Sequence, residues 1–214
     1  MIRRITNGGK KVIGKFPSIK CGKMVWWESQ LERDFLYLVE IDPDVLSCEA
    51  QPLKIEYFLD GKVRKYTPDF LVIRTDRKQI VEVKDEKRAK KDEYVELFRR
   101  IGPICAREGY EFIVATDREI RIQPRLKNIK FLYKYAKTPI TTAHQIFLYS
   151  MFEDRETLTL REIIRGFASK GLRAATVYAS IFHGILSIDL SRPINPETEV
   201  RLSLMLFKSG DRAA

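Results

Sequence analysis

Between Gln79 and Thr116 the chain reads strand, helix, strand, and that order restricts the fold more than any other feature of the sequence. After Gln79, residues 80–84 form an apolar run broken only by Glu82 and Lys84. Tyr94, Leu97, Phe98, Ile101, Ile104 and Cys105 then recur in helical register, and Glu111–Thr116 is a second apolar run. Two strands joined through a helix pair in parallel by a crossover, so the sheet must be at least partly parallel. Pro103 is expected to kink the helix and Gly109 to close it. Upstream, the runs 54–59 and 63–67 flank Asp60-Gly61, a dipeptide that tolerates the positive φ angles of a tight hairpin turn. Residues 69–74 make a further strand, separated from 79–84 by the polar stretch 75–78. Residues 28–40 carry Leu31, Phe35 and Leu38 as one helical stripe, which Asp42-Pro43-Asp44 terminates. The expectation is an α/β fold, a mixed sheet flanked by helices.

The texture changes near Thr138. Helical patterns at 142–153, 160–170 and 174–185 precede a short run at 185–190, a turn-rich stretch at 193–196 and a strand at 199–207. Helices followed by a two-stranded ribbon suggest a small winged-helix-like domain. The expected division is a basic arm at 1–23, an α/β domain at 24–137 and the winged-helix-like domain at 138–214.

Charge points to a polyanion partner. The net charge is +10 and the pI about 9.5. Arg3, Arg4, Lys10, Lys11, Lys15, Lys20 and Lys23 face no acidic residue before Glu28. Such an arm either lies along a phosphate backbone or serves solubility alone. No apolar stretch approaches the roughly 20 residues a membrane helix needs, and no signal sequence is visible, so a cytoplasmic protein without membrane contact is expected. Cys21, Cys48 and Cys105 are scattered and read as ordinary thiols. His144 and His183, the two histidines, lie far from the acidic cluster and read as structural. The chain lacks a phosphate-binding loop of the G-x-x-x-x-G-K-[ST] type.

The chemistry-bearing segment is Thr67-Pro68-Asp69-Phe70-Leu71-Val72 followed by Ile80-Val81-Glu82-Val83-Lys84. Alternate residues of a strand share a face, so Glu82 and Lys84 point the same way. Asp69 opens the preceding strand and reaches the same cation as Glu82 if the two strands pair in the right register. Carboxylates and waters suit a hard divalent ion, which can activate water and neutralise charge on a phosphodiester. A neighbouring lysine can orient or deprotonate the water, or hold a phosphate oxygen. Glu32 supplies a third carboxylate from the helix. Glu28 is a close competitor for that place and Glu40 a weaker one, while Asp117 fits a turn or cap.

The order of blocks carries a resemblance. Trp26-Trp27-Glu28-Ser29-Gln30-Leu31-Glu32, Asp42-Pro43-Asp44-Val45, Gln51-Pro52, Tyr66-Thr67-Pro68-Asp69-Phe70, Val81-Glu82-Val83-Lys84 and Thr116-Asp117 with Ile120-Arg121 together resemble the TnsA endonuclease subunit of heteromeric transposases. That family lies within the PD-(D/E)xK restriction-endonuclease-like superfamily. The resemblance implies that Glu32, Asp69, Glu82 and Lys84 are catalytic, with Asp69, Glu82 and Glu32 on the metal. It implies Mg2+, with Mn2+ able to substitute, and nicking of the 5′ (non-transferred) strands of double-stranded DNA at transposon ends. It also implies an integrase-type transposase that handles the 3′ ends, an AAA+ ATPase regulator, and a winged-helix C-terminal region. A free-standing restriction or defence nuclease of the same superfamily, or a DNA-binding adapter with an idle nuclease fold, are the competing expectations.

Overall fold

The computed structural model describes residues 12–203, and the chain divides into two compact units after Ile122. The first unit opens with a hairpin of β1 (Gly14–Ser18) and β2 (Lys23–Trp27), followed by α1 (Gln30–Ile41). Then come β3 (Val45–Ala50), β4 (Ile55–Leu59), β5 (Lys62–Tyr66), β6 (Phe70–Arg74) and β7 (Lys78–Lys84). α2 (Glu86–Ala89), α3 (Asp92–Arg107), β8 (Glu111–Thr116) and α4 (Asp117–Ile120) complete it. The main sheet has four strands in the order β3-β6-β7-β8. β3, β6 and β7 are antiparallel, whereas β7 and β8 run parallel, from Gln79 beside Glu111 to Lys84 beside Thr116. The strand–helix–strand pattern therefore produced the mixed α/β sheet it required.

Local chemistry explains most boundaries. Asp60 and Gly61 both adopt positive φ, 52° and 71°, and turn β4 into β5. Ser29 caps α1, its hydroxyl accepting from the Glu32 amide at 3.1 Å. Pro103 lies inside α3, and Gly109 beyond its end takes φ 78°. Ile55, Tyr66, Ile80, Ile101 and Cys105 form one buried cluster that ties the β4–β5 hairpin and α3 to the central strand β7.

The expected basic arm at 1–23 needs correction. Residues 1–11 lie outside the described residues, but from Gly14 onward the chain is a folded hairpin. Phe16, Val25 and Trp27 alternate inward and are buried, and Phe16 meets Tyr37 of α1 edge-on at 4.9 Å. Lys20 is spent locally, its ammonium donating to the carbonyls of Asp42 and Val45. The boundary expected at 137/138 also falls earlier.

The second unit contains α5 (Arg125–Tyr133), α6 (Thr142–Met151), β9 (Leu158–Thr159), α7 (Leu160–Ser169), α8 (Ala174–Phe182), β10 (Leu186–Ser187) and β11 (Glu199–Leu202). α5 was not expected, and it sets the boundary because its aromatic end packs within this unit: Phe131 meets Tyr178 of α8 at 5.0 Å and Tyr133 meets Phe182 at 5.9 Å. The three short strands pair antiparallel in the order β10-β11-β9. Residues 204–207 of the expected last strand lie outside the described residues. Among the described residues no helix is long and apolar enough to cross a membrane.

Candidate active site

The antiparallel register of β6 and β7 sets Phe70 opposite Val81 and Leu71 opposite Ile80. Continued one residue beyond β6, it sets Asp69 opposite Glu82. Directly opposed residues share a face, and Lys84, two residues along β7, shares it as well. Asp69 is anchored twice at this point. Its carbonyl accepts from the Gln51 amide at 2.9 Å, and its Oδ2 accepts from the Val83 amide at 2.7 Å. The carboxylate thus reaches across to the neighbouring strand next to Glu82.

Glu82 and Lys84 do not form the surface ion pair that such spacing often produces. Glu82 is buried, 5% exposed, and its Oε1 lies 2.6 Å from the Lys84 ammonium. Its Oε2 accepts from the Tyr66 hydroxyl, also at 2.6 Å. Lys84 stands 4.7 Å over the ring of Tyr94, a cation–π contact from the first turn of α3. Burial works to lower the Lys84 pKa, yet the Glu82 carboxylate and then Asp69 outweigh it, so the ammonium is held above its usual range.

Glu32 is the third carboxylate, buried in the first turn of α1. Its Oε2 accepts from the Glu28 amide at 2.6 Å. With Ser29 as the cap, this is close to a capping box, so Glu32 also fastens the start of its own helix. The Ser29-x-x-Glu32 spacing carried that signal in the sequence. Burial first, opposed by the Glu28 amide and Ser29, raises the Glu32 pKa; the Glu82 charge adds to the rise. Asp69 is raised well above the ordinary carboxylate range by burial, then by the charges of Glu82 and Glu32, against the pull of the Val83 amide and Lys84. Carboxylates from a helix, a strand start and a strand interior therefore share one electrostatic field.

The three are not drawn into a closed cage. Among the described residues no three His, Cys, Asp or Glu side chains are gathered tightly enough to hold a metal by themselves. Like charges repel, and each carboxylate has taken a protein donor instead: the Glu28 amide, the Val83 amide, and Tyr66 with Lys84. The donor set still fits Mg2+, which is commonly held by one or two carboxylates completed by waters and phosphate oxygens, and not Zn2+, which prefers nitrogen and sulfur.

The competitors have other work. Glu40 binds the β1–β2 turn, accepting from the Ser18 hydroxyl and from the Ile19 and Lys20 amides. Glu28 accepts from the Gln51 side chain at 2.7 Å. Asp117 accepts from the Glu86 amide at 2.8 Å, at the start of α2. His183 contacts the Ala136 carbonyl at 2.8 Å, and His144 sits in the capping box of α6, so both histidines are structural. All three cysteines are free thiols.

Sequence reasoning gave Tyr66, Gln51 and Tyr94 no role at the site. Gln51 follows β3, holds φ at 48°, and links the Asp69 backbone to the Glu28 side chain. A non-glycine residue in the left-handed region is strained and tends to sit near function. Tyr66 had one readable cue, its place three residues before Asp69 at the end of a predicted strand. Burial, and then the charge and hydrogen bond of Glu82, push its phenol pKa up, which keeps it a donor.

Residues 42–117 match the family described as TnsA-like endonuclease N terminal. This part of the chain is similar to the TnsA-like endonuclease family. The TnsA-like segment contains Asp69, Glu82 and Lys84 and the whole four-stranded sheet; Glu32 precedes it. No curated protein matches the chain.

Proposed function

We propose that this protein is a Mg2+-dependent DNA endonuclease acting as a subunit of a heteromeric transposase, nicking the 5′ strands at transposon ends. One observation carries the reading: Asp69 lies opposite Glu82 in a TnsA-like domain, with Lys84 on the same face of the sheet. Asp69 and Glu82 would hold the ion, with Glu32 completing or supporting its shell. Bound there, the ion would neutralise charge developing on the phosphate oxygens and lower the pKa of the attacking water. Lys84, kept as an ammonium by Glu82, is suited to hold a phosphate oxygen or orient that water. Burial of the carboxylates strengthens every charge interaction they make with a substrate.

The second unit serves DNA or partner contact. From α6 onward its order of helix, strand, two helices and a strand pair, with a three-stranded antiparallel sheet, supports a winged-helix-like module. An integrase-type transposase would process the other strand, and an AAA+ ATPase would regulate the assembly. The deciding experiment is a strand-specific cleavage assay on transposon-end DNA, with and without the partner transposase and with Mg2+ or Mn2+. Nicking confined to the 5′ strand and abolished by Asp69→Ala or Lys84→Ala is expected. Normal nicking by either variant would sink the assignment, and sequence-independent cutting by the chain alone would favour a free-standing nuclease.

A further inference from the structure

We propose that Tyr66 is a positioning residue that restricts Glu82 to one free ligating oxygen and thereby makes the site prefer a small divalent cation to a large one. The inference rests on the metal-dependent reading given above, and it assigns a determinant of which ion that site accepts.

The two oxygens of Glu82 are held differently. Oε2 accepts the Tyr66 hydroxyl at 2.6 Å in a buried setting. The phenol ring cannot follow a shift of the carboxylate, because it is packed among Ile55, Ile80, Ile101 and Cys105 and meets Phe112 edge-on at 6.5 Å. Oε1, by contrast, is held by the ammonium of Lys84, whose unbranched side chain is 19% exposed and can swing aside. The oxygen that can be released to a cation is therefore Oε1, while Oε2 stays with the protein. Mg2+ takes single oxygens in a near-octahedral shell. Ca2+ accepts six to eight oxygens and readily takes both from one carboxylate. A carboxylate with one oxygen tied down disfavours the larger ion. Hydrogen-bond partners behind metal ligands commonly set ion affinity in this way.

The test is titration calorimetry of the full chain with MgCl2 and, separately, CaCl2, on the wild type, Tyr66→Phe and Asp69→Asn, with thermal unfolding as a check on folding. Phenylalanine keeps the packed ring and deletes only the hydroxyl. Tyr66→Phe is expected to lower Mg2+ affinity about 10-fold while Ca2+ affinity holds or rises, so that the Ca2+/Mg2+ affinity ratio climbs by about the same factor. Glu82→Asp, which withdraws the carboxylate from the hydroxyl, is expected to move the ratio in the same direction and serves if Tyr66→Phe does not fold. An unchanged ratio in the folded variants overturns the role given to Tyr66 and leaves the metal-dependent reading standing. Absence of binding in the wild type, or binding untouched by Asp69→Asn, overturns both.

Discussion

Two pairs of carboxylates, one pair in each unit, are held in opposite ways. In the first, Asp69 and Glu32 are withdrawn from water and their proton affinity is raised, chiefly by burial. In the second, Glu162 is half-buried and its pKa is lowered to about 2 by the Thr159 amide first, then by Arg155 and the Thr159 hydroxyl. Asp189 is likewise lowered, by the Ser191 hydroxyl and amide. Glu162 closes a capping box at the start of α7 and stabilises its fold when charged. Asp69 and Glu32 resist the charged form in the fold, because burial is the first cause of each rise. The contrast separates acids that fasten a local turn or cap when charged from acids whose charge the fold resists, and perturbed acids of the second kind suit the proposed site.

The largest test of that contrast is catalytic. Asp69→Ala and Lys84→Ala are each expected to reduce strand cutting by about 10³-fold, the scale set by losing one charge-stabilising group in an active site, with far-ultraviolet circular dichroism unchanged. Next in size is Thr159→Ala in the second unit, which removes the α7 cap and is expected to destabilise by about 1 kcal/mol, read as a lower midpoint in urea unfolding. Asp69→Asn should act in the opposite sense. It retains an acceptor for the Val83 amide while deleting a buried charge, so a gain of about 0.5–1 kcal/mol without added divalent ion is expected.

The smallest effects are in pH dependence, where the signs differ between the units. Glu162 has a depressed folded-state pKa, so its contribution is present above the unfolded value and lost as pH falls through the folded one, between about 4.5 and 2. Asp69 has a raised folded-state pKa, so the folded form binds the extra proton. Stability from this group therefore falls as pH rises above the ordinary carboxylate range. Comparing wild type with Asp69→Asn and with Glu162→Gln across pH 2–8 isolates the two slopes. Equal signs would erase the distinction drawn between the units.

Much of the fold could be read from the sequence because period and turn chemistry are local. Asp60-Gly61 announced its hairpin, and the apolar run at Glu111–Thr116 became β8 at those bounds. The β1–β2 hairpin escaped notice because Phe16, Val25 and Trp27 gain burial only against α1, which lies further along the chain. α5 escaped although Leu126, Ile129 and Leu132 recur at helical spacing and are buried; it is short and rests on α8 through Phe131 and Tyr133. Glu32 was identified as a site carboxylate without its second role at the helix start being seen.

By itself the sequence determined which residue types were available and which of them alternate onto one face: an acid after proline, then an acid and an amine two apart on a strand. Only the tertiary structure decided that Asp69 stands opposite Glu82, that Tyr66 holds one oxygen of that glutamate and Lys84 the other, and that Glu40 belongs to a turn. Those outcomes depend on strand register and on packing between segments far apart in the chain. Spacing along a polymer fixes the direction of a side chain, whereas its partners are fixed by whichever neighbour the core brings alongside.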